Sequence, residues 1–215
     1  MDIYLSFALL CFTSFITLMN PLGIMPVFMT MTSTLDNNER KKTAQKATLV
    51  AALTLVAFAF SGQLLFNFFG ISVDSFRVVG GVIFFMMGYD MLQARLVKVK
   101  MSKESTRKAY VTDISITPLA IPMICGPGSI TNSIVLMEDA NSIELKGILI
   151  GTIFGVCLLT FLVLWSSSKI IKFLGETGNK IMMRLMGLIV MVIAVEFFFS
   201  GMKPILVDIV KAAQG

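Results

Sequence analysis

Four long stretches of this 215-residue chain contain no charged residue. They are Ile3 to Leu35, Ala47 to Phe69, Ile114 to Met137 and Gly147 to Ser168. Each is longer than the ~20 residues that an α-helix needs to cross the hydrocarbon core of a bilayer. Charged residues make up 14% of the whole chain, against about 25% in soluble domains. The four stretches therefore predict four membrane-spanning helices.

Two further apolar stretches are interrupted by charge. They are Ser75 to Leu96, which contains Arg77 and Asp90, and Ile181 to Met202, which contains Arg184 and Glu196. Charged side chains near the end of a membrane helix can extend to the aqueous interface, so both stretches still predict spans. The predicted fold class is an all-α integral membrane protein, with six transmembrane helices in a single membrane domain over residues 1–215.

The loops on the two sides of such a bundle differ in basic residues. One side holds 13 of them, in Asp36 to Lys46, Arg95 to Thr112 and Lys169 to Lys180, while the other holds Arg77, Lys146, Lys203 and Lys211. The positive-inside rule makes the richer side cytoplasmic, which predicts both termini on the outer or periplasmic side of a cell inner membrane. The run from Arg95 to Lys108 could instead bind nucleic acid or lipid headgroups. Topology accounts for its charge, however, so we expect no nucleic-acid partner.

The chain also matches itself at an offset of 105 to 107 residues. The matched pairs are Pro21 with Pro127, Arg77-x-x-Gly80 with Arg184-x-x-Gly187, Gly70 with Gly175, and Glu39-x-Lys41 with Glu144-x-Lys146. Four matches in the same order predict an internal duplication. Each copy would hold three spans, and because three is odd the second copy would be inverted in the membrane. Many secondary transporters have this inverted-repeat architecture.

The duplication divides the chain as follows. We expect repeat one at residues 1–95, a cytoplasmic linker at 96–112, repeat two at 113–203 and a short outward C-terminal tail at 204–215. The first helix of each repeat carries a proline–glycine cluster near its midpoint, Asn20-Pro21-Leu22-Gly23 in one and Gly126-Pro127-Gly128-Ser129 in the other. Proline lacks an amide hydrogen and glycine permits unusual backbone angles, so both helices should break there.

A broken membrane helix leaves backbone groups without partners, and this is tolerated only beside protein or a watery cavity. The half-helices after the breaks would direct amino ends, each carrying about half a positive charge, at the membrane centre. The upstream half-helices would offer carbonyl oxygens. Together they would suit the carboxylate and ammonium of an amino acid. The predicted substrate-binding residues are Asn20, Pro21, Gly23, Cys125, Gly126, Pro127, Gly128, Ser129, Thr131 and Asn132.

Single prolines and glycines in membrane helices commonly serve packing, and two clusters at related midpoints are what favours a site. Four charged residues are candidates for coupling or gating: Arg77, Asp90, Arg184 and Glu196. The two carboxylates could bind a coupling proton or sodium ion, although each is close to an expected helix end, which favours snorkelling or an ion pair. Gly147, Gly151 and Gly155 recur every fourth residue and predict a close-packing face, within the chain or in a homo-oligomer.

Enzymatic motifs are absent from the sequence. It has no histidine, no Cys-x-x-Cys pair, no Gly-x-Ser-x-Gly elbow and no Gly-x-x-x-x-Gly-Lys nucleotide loop. The three cysteines, Cys11, Cys125 and Cys157, fall within apolar spans, where thiols behave as small hydrophobes. We expect no catalytic residue, no disulfide, no metal site and no cofactor beyond a coupling proton or sodium ion.

Several segments resemble the MarC family of bacterial and archaeal membrane proteins, over about residues 3 to 203. They are Asn20 to Phe28, Phe69 to Ser72 with Arg77 to Gly81, Pro118 to Pro122 leading into Gly126-Pro127-Gly128, and Arg184 to Leu188. The resemblance implies a six-span inner-membrane protein grouped with transporters of the SnatA type, which carry glycine and alanine with a cation gradient. Cys125 stands where many relatives have alanine, so it could narrow the site.

These observations favour a secondary active transporter of small neutral amino acids, coupled to a proton or sodium gradient and working by alternating access. Two alternatives stay open: an exporter of another small metabolite on the same scaffold, and a membrane scaffold protein that transports nothing. The sequence leaves open the substrate, the direction of transport, the coupling ion and the oligomeric state.

Overall fold

A computed structural model describes residues 3–93, 111 and 113–214, and these residues are helical nearly throughout. The elements are α1 (Ile3–Met19), α2 (Pro21–Met31), α3 (Asn37–Phe69), α4 (Val73–Leu92), α5 (Ser115–Ile124), α6 (Pro127–Asp139) and α7 (Ile143–Gln214). Most of the predicted linker, and the basic run from Arg95 to Lys108, lies outside the described residues.

The first predicted break separates α1 from α2. Asn20 takes the left-handed conformation, with φ 42° and ψ 67°, and its side-chain Oδ1 accepts a hydrogen bond from the Gly23 amide at 3.1 Å. Pro21 is the first residue of α2, where its missing amide hydrogen costs nothing. The two helices together form a 29-residue span over Ile3–Met31.

The next two helices are bounded by well-formed caps. Asp36 and Glu39 make a capping box at the start of α3, because each side chain bonds the other residue's amide. Gly70 ends α3 in the left-handed conformation, with φ 63°, and the Ser72 hydroxyl then accepts from the Ser75 amide at the start of α4. Short, capped turns of this kind hold consecutive spans side by side.

The second predicted break separates α5 from α6, and the two are bent by 59°. α5 is not a regular α-helix, because Thr117 and Ile121 have extended backbone angles. Each of these residues precedes a proline, Pro118 or Pro122, and proline disfavours the helical conformation in the residue before it. The upstream arm of this span is therefore irregular where a half-helix was expected.

α7 is interrupted at Gly175, which has φ 65° and ψ −177°. Its two parts that are long and apolar enough to cross a membrane are α7a, Ile143–Ser167, and α7b, Lys180–Ala213. α7b runs on through most of the tail predicted at 204–215. Five helical spans are found in the described residues, or six if the bent α5–α6 pair is counted as one, in agreement with the predicted number.

α4 and α7b pack closely in opposite directions. Near one end of the contact, the position of a Cβ atom on Gly187 would be 2.7 Å from the Gly88 carbonyl oxygen. Near the middle of α4, a Cβ on Gly81 would be 2.8 Å from the Ala194 carbonyl oxygen. Only glycine allows backbones to approach this closely, so the two helices touch without an intervening layer of side chains.

The core lies between α1, α2, α3, α5, α6 and α7a, while large apolar side chains cover the outside. Phe68 is 82% exposed and Leu64 is 72% exposed, as suits a surface that faces lipid. Gly147, Gly151 and Gly155 of α7a are also exposed, and no described atom lies within 4 Å of where their Cβ atoms would be. Their predicted close-packing role is therefore not fulfilled within the described part of the chain.

Candidate functional site

The first turns of α6 lie in the middle of the bundle. Every residue from Cys125 to Thr131 is buried. α4 approaches one side, where Gly80 leaves room for the Pro127 ring, and α3 approaches another, where Gly62 leaves room for Ile134. Two glycines on neighbouring helices thus make it possible for α6 to sit this deeply.

Backbone amides are free at the amino end of α6. Its N-cap is Gly126, which has no side chain to cap the helix, and the first hydrogen bond of the helix runs from the Ile130 amide to the Gly126 carbonyl, at 2.9 Å. The amides of Gly128 and Ser129 therefore precede the first bond, as at any helix start. These amides and the helix dipole favour a negatively charged group at this point.

Three buried side-chain atoms on the same helix have no hydrogen-bond partner among the described residues: Ser129 Oγ, Thr131 Oγ1 and Asn132 Nδ2. Ser129 is 1% exposed and Thr131 is 2% exposed. Leaving such a group unpaired costs about 1–3 kcal/mol, and native proteins rarely accept that cost without a reason. Ser129 and Asn132 are three residues apart and share one side of α6, whereas Thr131 lies on a different side.

Other buried hydroxyls of the chain show how easily this cost is avoided. Ser133, one residue beyond the group, donates to the Ile130 carbonyl at 2.7 Å. Thr48 and Thr160 donate to carbonyls one turn earlier in their own helices, at 2.9 and 2.8 Å. The unpaired atoms on α6 are thus a local feature of the second break.

Two aromatic rings cover the amino end of α6. A Cβ atom on Gly126 would overlap the ring of Phe84, from α4, and a Cβ on Gly128 would overlap the ring of Phe197, from α7b. The two rings meet edge to face, with centroids 6.2 Å apart. Gly126 and Gly128 are therefore needed as glycines, because any side chain there would displace the rings.

The first break lies on the other side of Phe84. A small cavity of about 40 Å³ is lined by Asn20 and Gly23 of the first break, by Phe84 and by apolar residues such as Met123. A buried water needs roughly 10–15 Å³ of such space, so the cavity has room for only a few water molecules. The ring of Phe84 thus lies between the two breaks, and this cavity is too small for an amino acid in this conformation.

Comparison with known proteins agrees with the fold. The sequence profile described as MarC family integral membrane protein matches residues 5–206. The chain belongs to the MarC family. This confirms the resemblance seen in the sequence, and it makes the protein a multi-pass integral membrane protein.

Several members of the family are similar over nearly their whole length. The UPF0056 membrane protein of Pyrococcus horikoshii is 37% identical, over 91% of this chain and 94% of its own. The UPF0056 membrane protein YvbG of Bacillus subtilis is 38% identical, over 92% of this chain and 95% of its own. A relative in Methanocaldococcus jannaschii is 35% identical, over 93% and 97%. No solved structure matches the chain.

In this MarC family member the polar residues predicted for the second break lie together, around α6. The charged candidates lie elsewhere. Arg77 is half-buried and pairs with Asp74, with 3.2 Å between Nη1 and Oδ1. Asp90, Arg184 and Glu196 are exposed, and none of them forms an ion pair with a described residue.

Sequence reasoning missed Phe84 and Phe197, the two residues that cover the site. The chain contains 18 phenylalanines, most of them on apolar spans, so nothing in the pattern distinguishes these two. The glycines did carry a signal, since Gly126 and Gly128 flank Pro127 in the motif that predicted the break. They were interpreted as helix breakers that permit unusual backbone angles, whereas in the structure they also make room for aromatic rings.

Proposed function

We propose that this MarC family protein is a secondary active transporter of small neutral amino acids, which binds its substrate at the amino end of α6 and works by alternating access. The observation that carries the proposal is the set of three buried, unpaired polar atoms on Ser129, Thr131 and Asn132. A membrane protein that leaves several such groups without partners has a strong energetic reason to bind a polar ligand there.

The chemistry around α6 suits a zwitterion. The free amides of Gly128 and Ser129, with the Ser129 hydroxyl, would bind a carboxylate. An ammonium needs acceptors, and the Pro122 carbonyl oxygen lies beside the same turn, 2.8 Å from the position of a Cβ on Gly126. Among the residues whose burial the structure describes, none of the buried ones is charged, so a ligand without net charge fits best.

Ligand size follows from the aromatic cover. Phe84 and Phe197 rest directly on the glycines, so only a small molecule would fit under them without a large displacement. In this account the described conformation is the closed, empty one. Movement of the rings admits the substrate from one side at a time, and a proton or sodium gradient sets the direction of net transport.

The inverted repeat that alternating access calls for has two lines of support. Gly70 and Gly175, matched in sequence, both have positive φ, of 63° and 65°, and each precedes the third span of its half. Those third spans, α4 and α7b, pack against each other in opposite directions, as equivalent helices of an inverted duplication do. An axis relating them would pass close to Phe84.

The test is transport by the purified full-length protein in proteoliposomes. We expect saturable counterflow of glycine or alanine, and we expect it to be lost in Ser129→Ala/Asn132→Ala. Ser133→Ala is the matched control, because that hydroxyl is already bonded to Ile130 and should not contribute. Absence of movement of every small amino acid, under proton and sodium gradients alike, would refute the proposal.

A further inference from the structure

A second candidate site lies far from α6, on the outside of the bundle between α3 and α7a. It is a groove of about 610 Å³, within the roughly 300–1,000 Å³ typical of ligand pockets. Its walls are mainly apolar, with Leu49 and Ala52 from α3 and Phe154, Leu158 and Phe161 from α7a. None of these residues belongs to the site proposed for transport.

One end of the groove is positively charged. Lys42 and Lys46 both line it, and they are four residues apart on the same face of α3. Two like charges at this spacing destabilise a helix. The ion pair of Arg77 with Asp74 is the one found among the described residues, so neither lysine has a carboxylate partner there. An anion between the two lysines would remove their repulsion.

The lysine end of the groove also has residue types that are typical of a membrane surface. The Lys41 ammonium lies 5.2 Å from the centre of the Trp165 ring, and Trp165 stacks on Phe161, with centroids 6.1 Å apart. Tryptophan is enriched at the boundary between lipid and water, and lysine extends towards headgroups. Lys42 and Lys46 are therefore expected at headgroup level, with the apolar walls of the groove extending from there into the bilayer.

The apolar part of the groove covers part of one leaflet. From Lys46 to Ala52 it follows α3 for six residues, or about 9 Å at ~1.5 Å per residue. The hydrocarbon core of a bilayer is roughly 30 Å thick, so half of it is about 15 Å. An acyl chain whose headgroup is at the lysines would therefore lie in the groove near the headgroup and end beyond Ala52.

We propose that this groove binds one anionic phospholipid, with its phosphate between Lys42 and Lys46 and an acyl chain against Leu49, Phe154 and Leu158. Free phosphate would satisfy the lysines but leave the apolar walls unfilled. A second copy of the chain would cover the walls, yet it would need to bring carboxylates to the lysines. A lipid supplies both chemistries, and the membrane supplies the lipid.

The experiment compares the melting temperature of the purified full-length protein in mild detergent with phosphatidylglycerol, with phosphatidylcholine of the same chains, and with inorganic phosphate. Phosphatidylglycerol should raise the melting temperature far more than the other two. In Lys42→Gln/Lys46→Gln the apparent affinity for it should fall roughly 30-fold, since each lysine near an anionic lipid adds to binding. Lys203→Gln/Lys211→Gln, at exposed positions of α7b, is the matched control and should bind as the native chain does.

A second arm tests the apolar wall. Leu158→Ser, in the groove, should weaken binding of phosphatidylglycerol, whereas Leu162→Ser, one turn further along α7a and outside the lining, should not. Both leucines are exposed, so neither change disturbs the core. The proposal is overturned by equal stabilisation from phosphate, by equal stabilisation from phosphatidylcholine, or by full binding in the Lys42/Lys46 variant. A light-scattering mass that falls from dimer to monomer in Leu158→Ser would also overturn it, because a second copy would then occupy the groove.

Discussion

The two helix breaks occupy matching places in the sequence, yet the polar groups are hydrogen-bonded at one break and left unpaired at the other. At the first break Asn20 caps α2 with its own side chain, and α1 and α2 still form one 29-residue span. At the second break Gly126 has no side chain to offer, the span bends by 59°, and three side-chain atoms stay unpaired. The first break satisfies its own backbone, and the second leaves donors available for a ligand.

The difference depends on one residue position. The residue before each proline is asparagine in the first half and glycine in the second. Asparagine tolerates the left-handed conformation, and its side chain can accept a hydrogen bond from the helix that it begins. Asn20 therefore caps the start of α2. Glycine has no side chain with which to bond the helix, but it allows an aromatic ring to rest on the backbone. A duplicated motif can thus supply a structural joint in one copy and a candidate binding site in the other.

The largest effect should come from filling the space under the rings. Gly128→Leu places a side chain where Phe197 now lies, so we expect a loss of about 1–3 kcal/mol in stability from overpacking and a loss of transport. Gly151→Leu is the matched control, because its Cβ would meet no described atom within 4 Å. Thermal unfolding and counterflow of the two variants measure the contrast. Equal damage at both positions would mean that any leucine in these helices is harmful, and would remove the special role of the second break.

The next effect concerns the unpaired atoms of the second break. Removing one of them should raise the stability of the empty protein, whereas removing the Asn20 cap of the first break should lower it. Ser129→Ala removes a buried hydroxyl that has no partner, so the empty protein should become more stable, by up to about 1–3 kcal/mol, while stabilisation by an added amino acid is lost. Thermal unfolding with and without glycine or alanine measures both changes. A variant that is less stable when empty would show that the hydroxyl has a structural partner.

Labelling of a cysteine tests the aromatic cover formed by Phe84 and Phe197. Cys125 is fully buried next to Gly126, so it reports access to the amino end of α6 in a chain whose other cysteines, Cys11 and Cys157, are changed to alanine. Phe84→Ala should make Cys125 react markedly faster with a small thiol reagent. Phe85→Ala, at the neighbouring exposed position, should leave the rate unchanged. Equal rates in two well-folded variants would remove Phe84 from the barrier while leaving the proposed binding groups in place.

The smallest effect is expected at the first break. Asn20→Ala removes the cap of α2 and should cost about 0.5–2 kcal/mol, with transport largely retained. Chemical denaturation, together with counterflow measured well below the melting temperature, separates stability from activity. If this variant abolished transport without loss of stability, the first break would be a binding site as much as the second, and the contrast between the two would be wrong.

Much of this arrangement could be predicted from the sequence, because it depends on long-range composition. The charge-free stretches predicted four of the spans and two charge-interrupted stretches predicted the others, while the proline–glycine clusters predicted both breaks to within a residue. Ser129, Thr131 and Asn132 were predicted as site residues, and in the described part of the chain they are the residues with buried, unpaired side-chain atoms. These features could be predicted because polar groups and helix breaks are costly in lipid, so they are easily recognised in an otherwise apolar sequence.

Other features could not be predicted, because they depend on which faces of separate helices meet. Nothing in the local pattern distinguishes Phe84 from the exposed Phe85 beside it. The irregular course of α5 had a local signal in Pro118 and Pro122, which was attributed only to family resemblance. The different hydrogen bonding at the two breaks was also not predicted. The two proline–glycine clusters are similar, although the cap residue is asparagine in the first and glycine in the second.

The contact between α4 and α7b limits how the molecule can move. The backbones touch near Gly88, again near Gly81, and once more where a Cβ on Gly201 would be 2.5 Å from the Asp74 carbonyl oxygen. The two helices meet at three levels without an intervening layer of side chains that could repack. They therefore cannot slide or separate without losing their close fit. We therefore expect α4 and α7b to move as one rigid unit, so that the movements of the proposed transport cycle would be made by α6, by the helices around it and by the rings of Phe84 and Phe197.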